Sequence, residues 1–247
     1  AGVVYAQSPF QGSVAAMVVT FLGMGALLGL VNGLLIAALD ILPFIATLAM
    51  MSLAQGMSLM IGGGTMVMLT DSPILAVGQG KIGGVLPVSF VVLLAVCLTA
   101  SVILHRTKLG VYTYALGGNE DAARLAGISV TAAKMMIGAI AGIFVGLSSI
   151  MLVARVGTAQ SGVGPGTEFT VITGILLGGV SARGGEGRLS GVVAGILIMA
   201  ILGNGMQLGG WGVYLQYVAK GIIMLVAIGV DVYQYNHRKI IVDKLPG

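Results

Sequence analysis

Long apolar runs alternate with short polar or glycine-rich breaks along almost the whole chain. Residues 13–39, 43–62, 88–105, 132–154, 191–209 and 213–231 are each long enough, as an α-helix, to cross roughly 30 Å of hydrocarbon. A further apolar run, 169–180, has only about 12 residues, too few for one ordinary crossing. Glycines cluster at its far end (Gly178-Gly179, Gly184-Gly185, Gly187), so it reads as a broken or re-entrant segment. Irregular backbone at membrane depth is tolerated only where protein covers it or it lines a watery cavity. The breaks carry turn chemistry. Asp40 and Pro43 close the first span, with Pro43 suited to the first position of the next helix. Gly62-Gly63-Gly64 and Gly209-Gly210-Trp211-Gly212 punctuate later ones, residues 1–12 and 63–87 read as loops, and the tail 232–247 is basic and polar. The pattern predicts an all-α polytopic transmembrane helical bundle with one short broken segment, in a single domain over 1–247.

The longest polar interval is 105–131, carrying Arg106, Lys108, Glu120, Asp121 and Arg124, with Lys134 just beyond. Apolar spans flank it on both sides, so it sits in water, and its cations assign it to the cytoplasmic face. That makes 106–130 a cytoplasmic loop. Within it, 119–127 predicts a short helix. Asn119 is placed to cap it, Glu120 and Asp121 lie where the helix dipole favours anions, and Gly127 is available as the stop. If 169–181 counts as one crossing, Arg106, Lys108, Arg124, Lys134, Arg183, Arg188, Arg238, Lys239 and Lys244 share the inner side. Lys81 and Arg155 then lie outside, and the C-terminus is cytoplasmic.

Composition sharpens this reading. Of 247 residues 57% are hydrophobic and 8% charged, where a soluble domain has about a quarter charged. Forty-one glycines let transmembrane helices approach closely. Two stripes stand out, Gly25-x-x-x-Gly29-x-x-x-Gly33 and Gly138-x-x-x-Gly142-x-x-x-Gly146, which serve either packing within one subunit or a dimer seam. Net charge of +4 is too small and dispersed for nucleic acid, and Cys97 stands alone. Lys220 lies inside a span, either snorkelling to the headgroups or functional. Trp211, Tyr214 and Tyr217 suit an interfacial aromatic belt. His105 and His237 are isolated, and neither H-E-x-x-H nor G-x-S-x-G occurs, so no metal site or catalytic machinery is predicted. No G-x-x-x-x-G-K-[ST] occurs either, so any ATP chemistry belongs to another chain. The chain lacks an initiator Met and a signal-peptide pattern, and is expected to be part of a longer protein.

Asp121-Ala122-Ala123-Arg124-Leu125-Ala126-Gly127 fits the E/D-A-A-x-x-x-G loop by which permease subunits of bacterial ABC importers dock on their ATPase. Together with Ala115-Leu116-Gly117-Gly118-Asn119-Glu120, Pro43-Phe44-Ile45-Ala46-Thr47-Leu48, Ala159-Gln160, Leu177-Gly178-Gly179 and Gly184-Gly185-x-Gly187-Arg188, it resembles the ribose-type sugar permeases. The resemblance implies a pair of permeases (two copies or two paralogues) in the bacterial inner membrane. Cytoplasmic ATPases holding ATP and Mg would bind beneath, and a periplasmic sugar-binding protein would deliver a pentose, hexose or related compound. Gly117, Gly118, Asn119, Glu120, Asp121, Ala122, Ala123, Arg124, Leu125 and Gly127 would couple to the ATPase, with Glu120 and Asp121 serving dipole and capping. Phe44, Thr47, Gln160, Glu168, Gly178 and Gly179 are the candidate translocation path, Gln160 and Glu168 being either sugar-contacting or solvated loop residues. The competing class is an ion-coupled secondary transporter, which normally buries acids mid-span. Asp40 and Asp231 lie at span ends and Glu168 in a loop, against that class. A channel would need a filter such as T-V-G-Y-G, which the chain lacks.

Overall fold

The computed structural model describes residues 1–8, 13–69, 73–162, 164 and 166–243. The predicted loop residues 9–12, Asp71, and Lys244 with the rest of the tail's end lie outside that set. The described residues are mostly helical: α1 Gly2–Ala6, α2 Val14–Leu39, α3 Pro43–Gly62, α4 Pro73–Gln79, α5 Val88–Arg106, α6 Lys108–Gly118, α7 Glu120–Leu125, α8 Val130–Val156, α9 Thr167–Leu177, α10 Leu189–Leu208 and α11 Val213–Asp243. Among them six helices are long and apolar enough to cross a membrane: α2, α3, α5, α8, α10 and the Val213–Tyr233 part of α11. The all-α, multi-span expectation holds. Four two-residue strands form small antiparallel ladders, β1 (Val67–Met68) with β4 (Thr158–Ala159) and β2 (Lys81–Ile82) with β3 (Leu86–Pro87).

Contacts divide the chain into two compact units, Ala1–Thr113 with Glu120–Val163, and Tyr114–Asn119 with Gly164–Gly247. In the first, the two glycine stripes read from the sequence pack against each other. A Cβ on Gly25 would strike the Gly142 carbonyl oxygen, one on Gly29 that of Gly138, and one on Gly33 would lie 2.6 Å from the Lys134 carbonyl oxygen. Rising numbers on α2 meet falling numbers on α8, so the helices are antiparallel with backbones in contact. Of the two uses open for the stripes, packing within one subunit is realised. Ser13 opens α2, its hydroxyl accepting from the Ala16 amide at 3.4 Å. Asp40 closes it in the left-handed region (φ 51), and Pro43 starts α3.

One end of this seam carries the unit's apolar core: Tyr5, Met17, Phe21, Leu69, Ile74, Ile150 and Ala154. The Tyr5 and Phe21 rings are 5.8 Å apart and tilted by 57°. This core explains two departures from the sequence reading. Residues expected as loop fold into α1 because Val3, Tyr5 and Ala6 bury there, and into α4, whose Gly78 approaches the Ala154 backbone too closely for any Cβ. A third departure is α6, in the interval where only 119–127 was expected to be helical. Its Gly110 sits against the Leu104 backbone, making the tight α5–α6 corner possible.

The second unit repeats the device. Gly174 and Gly178 of α9 meet Gly195 and Gly191 of α10, again antiparallel with no room for a Cβ at Gly178, Gly191 or Gly195. At about 16 Å, α9 is half the hydrocarbon thickness, as its short apolar run requires. Gly29→Leu drives a branched side chain into the Gly138 backbone and is expected to destabilise the protein by about 3 kcal/mol. Gly23→Ala, which meets nothing within 4 Å, should be neutral or stabilise by up to about 1 kcal/mol. Unfolding in mixed micelles with increasing SDS measures both.

Candidate functional site

The predicted docking segment passes from the second unit to the first between Asn119 and Glu120. In the first unit it is the helix α7, preceded by Asn119 and carrying Glu120 and Asp121 in its first turn and Arg124 in its last. It ends as the sequence anticipates. Gly127 takes φ 84, its amide donates to the Arg124 carbonyl at 3.0 Å, and the Ile128 amide donates to that of Ala123 at 3.1 Å. Left-handed backbone at Gly127 disfavours any residue with a Cβ.

The helix has an inner and an outer side. Ala123 is buried, and Glu120 reaches inward, its Oε2 lying 2.7 Å from Lys134 Nζ on the first turn of α8. Its Oε1 is 3.5 Å from Arg124. Glu120 therefore does more than complement the dipole: it fastens α7 to the start of α8. No local pattern signals this pair, since Lys134 is fourteen positions away and its pairing depends on the fold. On the outer side Asp121, Ala122, Arg124, Leu125 and Gly127 are exposed. Leu125 is 91% exposed, an isolated apolar side chain at a charged surface.

In the second unit, Gly117 and Gly118 end α6 against the loop between α9 and α10. Gly184 (φ 88) and Gly185 (φ 77) contact Gly117, and a Cβ on Gly185 would come 2.7 Å from Gly118 Cα. Tyr114 Oη donates to the Gly187 carbonyl at 3.2 Å, and the Ala182 amide donates to Asp231 Oδ2 at 3.3 Å. The end of α6, the 181–187 loop and the Asp231 turn of α11 thus share one end of this unit. A cavity of about 790 Å³ opens there. Lys220 is half-buried on the packed stripe of α11 that also carries Ile223, Ala227 and Asp231.

Within each unit the translocation-path candidates lie apart. Phe44 and Thr47 lie in the first turns of α3, the Thr47 hydroxyl donating to the Pro43 and Phe44 carbonyls at 3.0 Å. Gln160 is beside the other end of that helix, where Ser58 and Ser161 are hydrogen-bonded at 3.0 Å. It lines a 170 Å³ cavity with Ser58, Ser149 and Thr158. In the second unit Glu168 Oε1 accepts from the Gly166 amide at 3.0 Å at the start of α9, while Gly178 and Gly179 lie at its far end, about 15 Å along the helix. Gly178 is packed on Gly191, and Gly179 borders the larger cavity.

The profile of the family described as branched-chain amino acid transport system / permease component matches residues 1–228. The chain is 39% identical over 214 residues to the ribose import permease protein RbsC of Escherichia coli (strain K12), covering 85% of this chain and 66% of that protein. It is 38% identical over 209 residues to the L-arabinose transport system permease protein AraH of the same strain, covering 85% and 63%. To the galactose/methyl galactoside import permease protein MglC it is 32% identical over 232 residues, covering 92% and 69%. The chain thus spans slightly less than two thirds of RbsC and of AraH. No solved structure matches.

Removing the α7–α8 fastening by Glu120→Gln is expected to cost under about 1 kcal/mol, because both partners retain solvent access. The local consequence is amide hydrogen exchange in α7 faster by up to about fivefold, with exchange in α2 unchanged.

Proposed function

The chain belongs to the family of transport-system permease components, and from that premise we propose that it is the membrane-spanning subunit of an ATP-driven importer of a monosaccharide. It is a multi-pass membrane protein, with six helices of crossing length among the described residues. The family description mentions amino acids, whereas the relatives named above are permeases for ribose, arabinose and galactose; their agreement favours a pentose or hexose. ATP and Mg reside on a separate cytoplasmic ATPase, a periplasmic binding protein supplies the sugar, and a second permease completes the pathway. The membrane is the bacterial inner membrane and the C-terminus is cytoplasmic.

The observation that carries this reading is the two-sided character of α7. Its inner side is held by Ala123 and the Glu120–Lys134 pair, and its outer side offers Asp121, Arg124 and Leu125 to a partner. A leucine 91% exposed on a capped, water-facing helix suits the apolar centre of a docking contact, with the charges at its rim. Sidedness is supported by the second unit, where Gly117, the 181–187 loop and Asp231 share one end, so that Arg183 and Arg188 lie toward the side of the docking segment.

Leu125→Asp and Arg124→Glu are expected to leave membrane insertion intact. Each should reduce co-purification of the ATPase and ATP-dependent vesicle uptake of D-ribose, L-arabinose or D-galactose by about tenfold or more, as loss of an interface anchor does. Gly127→Pro, which cannot adopt φ 84, should do the same by unravelling the end of α7. Unchanged co-purification and uptake in all three variants would overturn the docking assignment. Uptake driven by an ion gradient without any ATPase would overturn the importer class.

A further inference from the structure

The cavity at the shared end of the second unit has walls of two kinds. Leu176, Ile223, Val226 and Val230 supply aliphatic surface, and Ser181, Arg183, Glu186 and Asp231 supply polar groups at one end. Its volume of about 790 Å³ falls within the range of small-molecule sites, roughly 300–1,000 Å³. We propose that this cavity is a holding site, on the docking side of the membrane, for a neutral polyhydroxylated solute. This inference rests on the sugar-permease reading.

Three observations bear on the class of ligand. Each hydroxyl of a polyol both donates and accepts, and the polar end provides guanidinium donors on Arg183 together with carboxylate acceptors on Glu186 and Asp231. Asp231 is held in place by the Ala182 amide on Oδ2, and a carboxylate retains capacity for further hydrogen bonds. Two carboxylates against one guanidinium give the polar end a net negative formal charge, which disfavours a phosphate or other anion. The aliphatic walls suit the C–H faces that remain once a sugar's hydroxyls are engaged.

The cavity's position adds a mechanical consequence. Gly117 and Gly118 form part of its wall, and they immediately precede the docking helix in the chain. Gly117 has backbone contact with Gly184 and Gly185 and no room for a side chain, and Tyr114 clips the same loop through Gly187. A pull on the docking segment therefore acts directly on the wall of the chamber. ATP binding on the partner would change how long the sugar is retained there.

Cysteine protection tests this in the full transporter, assembled with its ATPase and binding protein in vesicles. In a Cys97→Ser background, Ile223→Cys and, separately, Val230→Cys place a thiol on the cavity wall. Modification by a water-soluble maleimide is timed with D-ribose, L-arabinose or D-galactose present. The sugar that the assembly takes up is expected to slow modification at least threefold and saturably at both positions, and Asp231→Asn should abolish the protection. ATP-dependent uptake with modification indifferent to the carried sugar at both positions would overturn the holding site and leave the permease reading standing. Protection by added phospholipid but not by sugar would also overturn it, making the cavity a lipid site. Uptake of none of the three sugars by the unmodified assembly would remove the sugar reading and this inference with it.

Discussion

Backbone-to-backbone contact between α2 and α8 is the constraint on which the first unit depends. Hydrocarbon offers helices no hydrophobic reason to associate, so they are held by close packing, and glycine permits the closest. The rungs run from Phe21–Gly146 through Gly25–Gly142 and Gly29–Gly138 to Gly33–Lys134. The last rung also fixes α7. Lys134 meets Gly33 through its backbone while its ammonium group holds Glu120, so α7 is anchored where the seam ends. A slip of either helix would move the lysine and loosen α7. A partly exposed ion pair worth under about 1 kcal/mol cannot position a helix unaided; it does so here because the residue bearing the charge is immobilised by packing.

The same logic explains how a helix of 11 residues persists in the second unit. Alone, α9 is shorter than an isolated helix needs to be stable in water, and too short to span hydrocarbon. Gly174 and Gly178 seat it on Gly195 and Gly191 of α10, and the buried Thr173 hydroxyl is satisfied by the Phe169 carbonyl at 2.6 Å. Gly166 at its near end and Gly179, Gly184 and Gly185 beyond its far end have positive φ and turn the chain where β-carbons would be strained.

Much of this architecture was legible from the sequence, because hydrocarbon thickness dictates span length and leaves little latitude. Residues 43–62 were read as a span and α3 is Pro43–Gly62; 13–39 was read and α2 is Val14–Leu39. The glycine stripes at 25–33 and 138–146 were visible, but not that each was the other's partner. The G-x-x-x-G pairs at 174/178 and 191/195 carry the same signal in sequence. What escaped entirely were α1, α4 and α6, whose short helices exist through tertiary burial rather than local periodicity. Among site residues, the first-turn acids Glu120 and Asp121 and the stop at Gly127 are legible because helix ends are set locally. The role of Lys134 is not, since it depends on how α7 folds back on α8. Within the second unit Glu168 and Gly178 stand at opposite ends of α9 for the same reason: both carry break chemistry in sequence, which does not determine proximity.

Sidedness shows how local geometry and global charge inform each other. From sequence, placing 182–190 on the side of the docking segment depended on counting the short run before it as a crossing. In the structure the second unit supplies its own argument. Gly117 touches Gly184 and Gly185, and the Ala182 amide reaches Asp231, so the end of α6, the α9–α10 loop and the far part of α11 meet at one place. The antiparallel α9–α10 seam then sends α9 away from that end over about 16 Å, and at its start Gly166 faces Tyr217, one turn from Lys220. Arg183 and Arg188 therefore stand in or beside the loop that packs on Gly117 and Gly118 at that end of the unit.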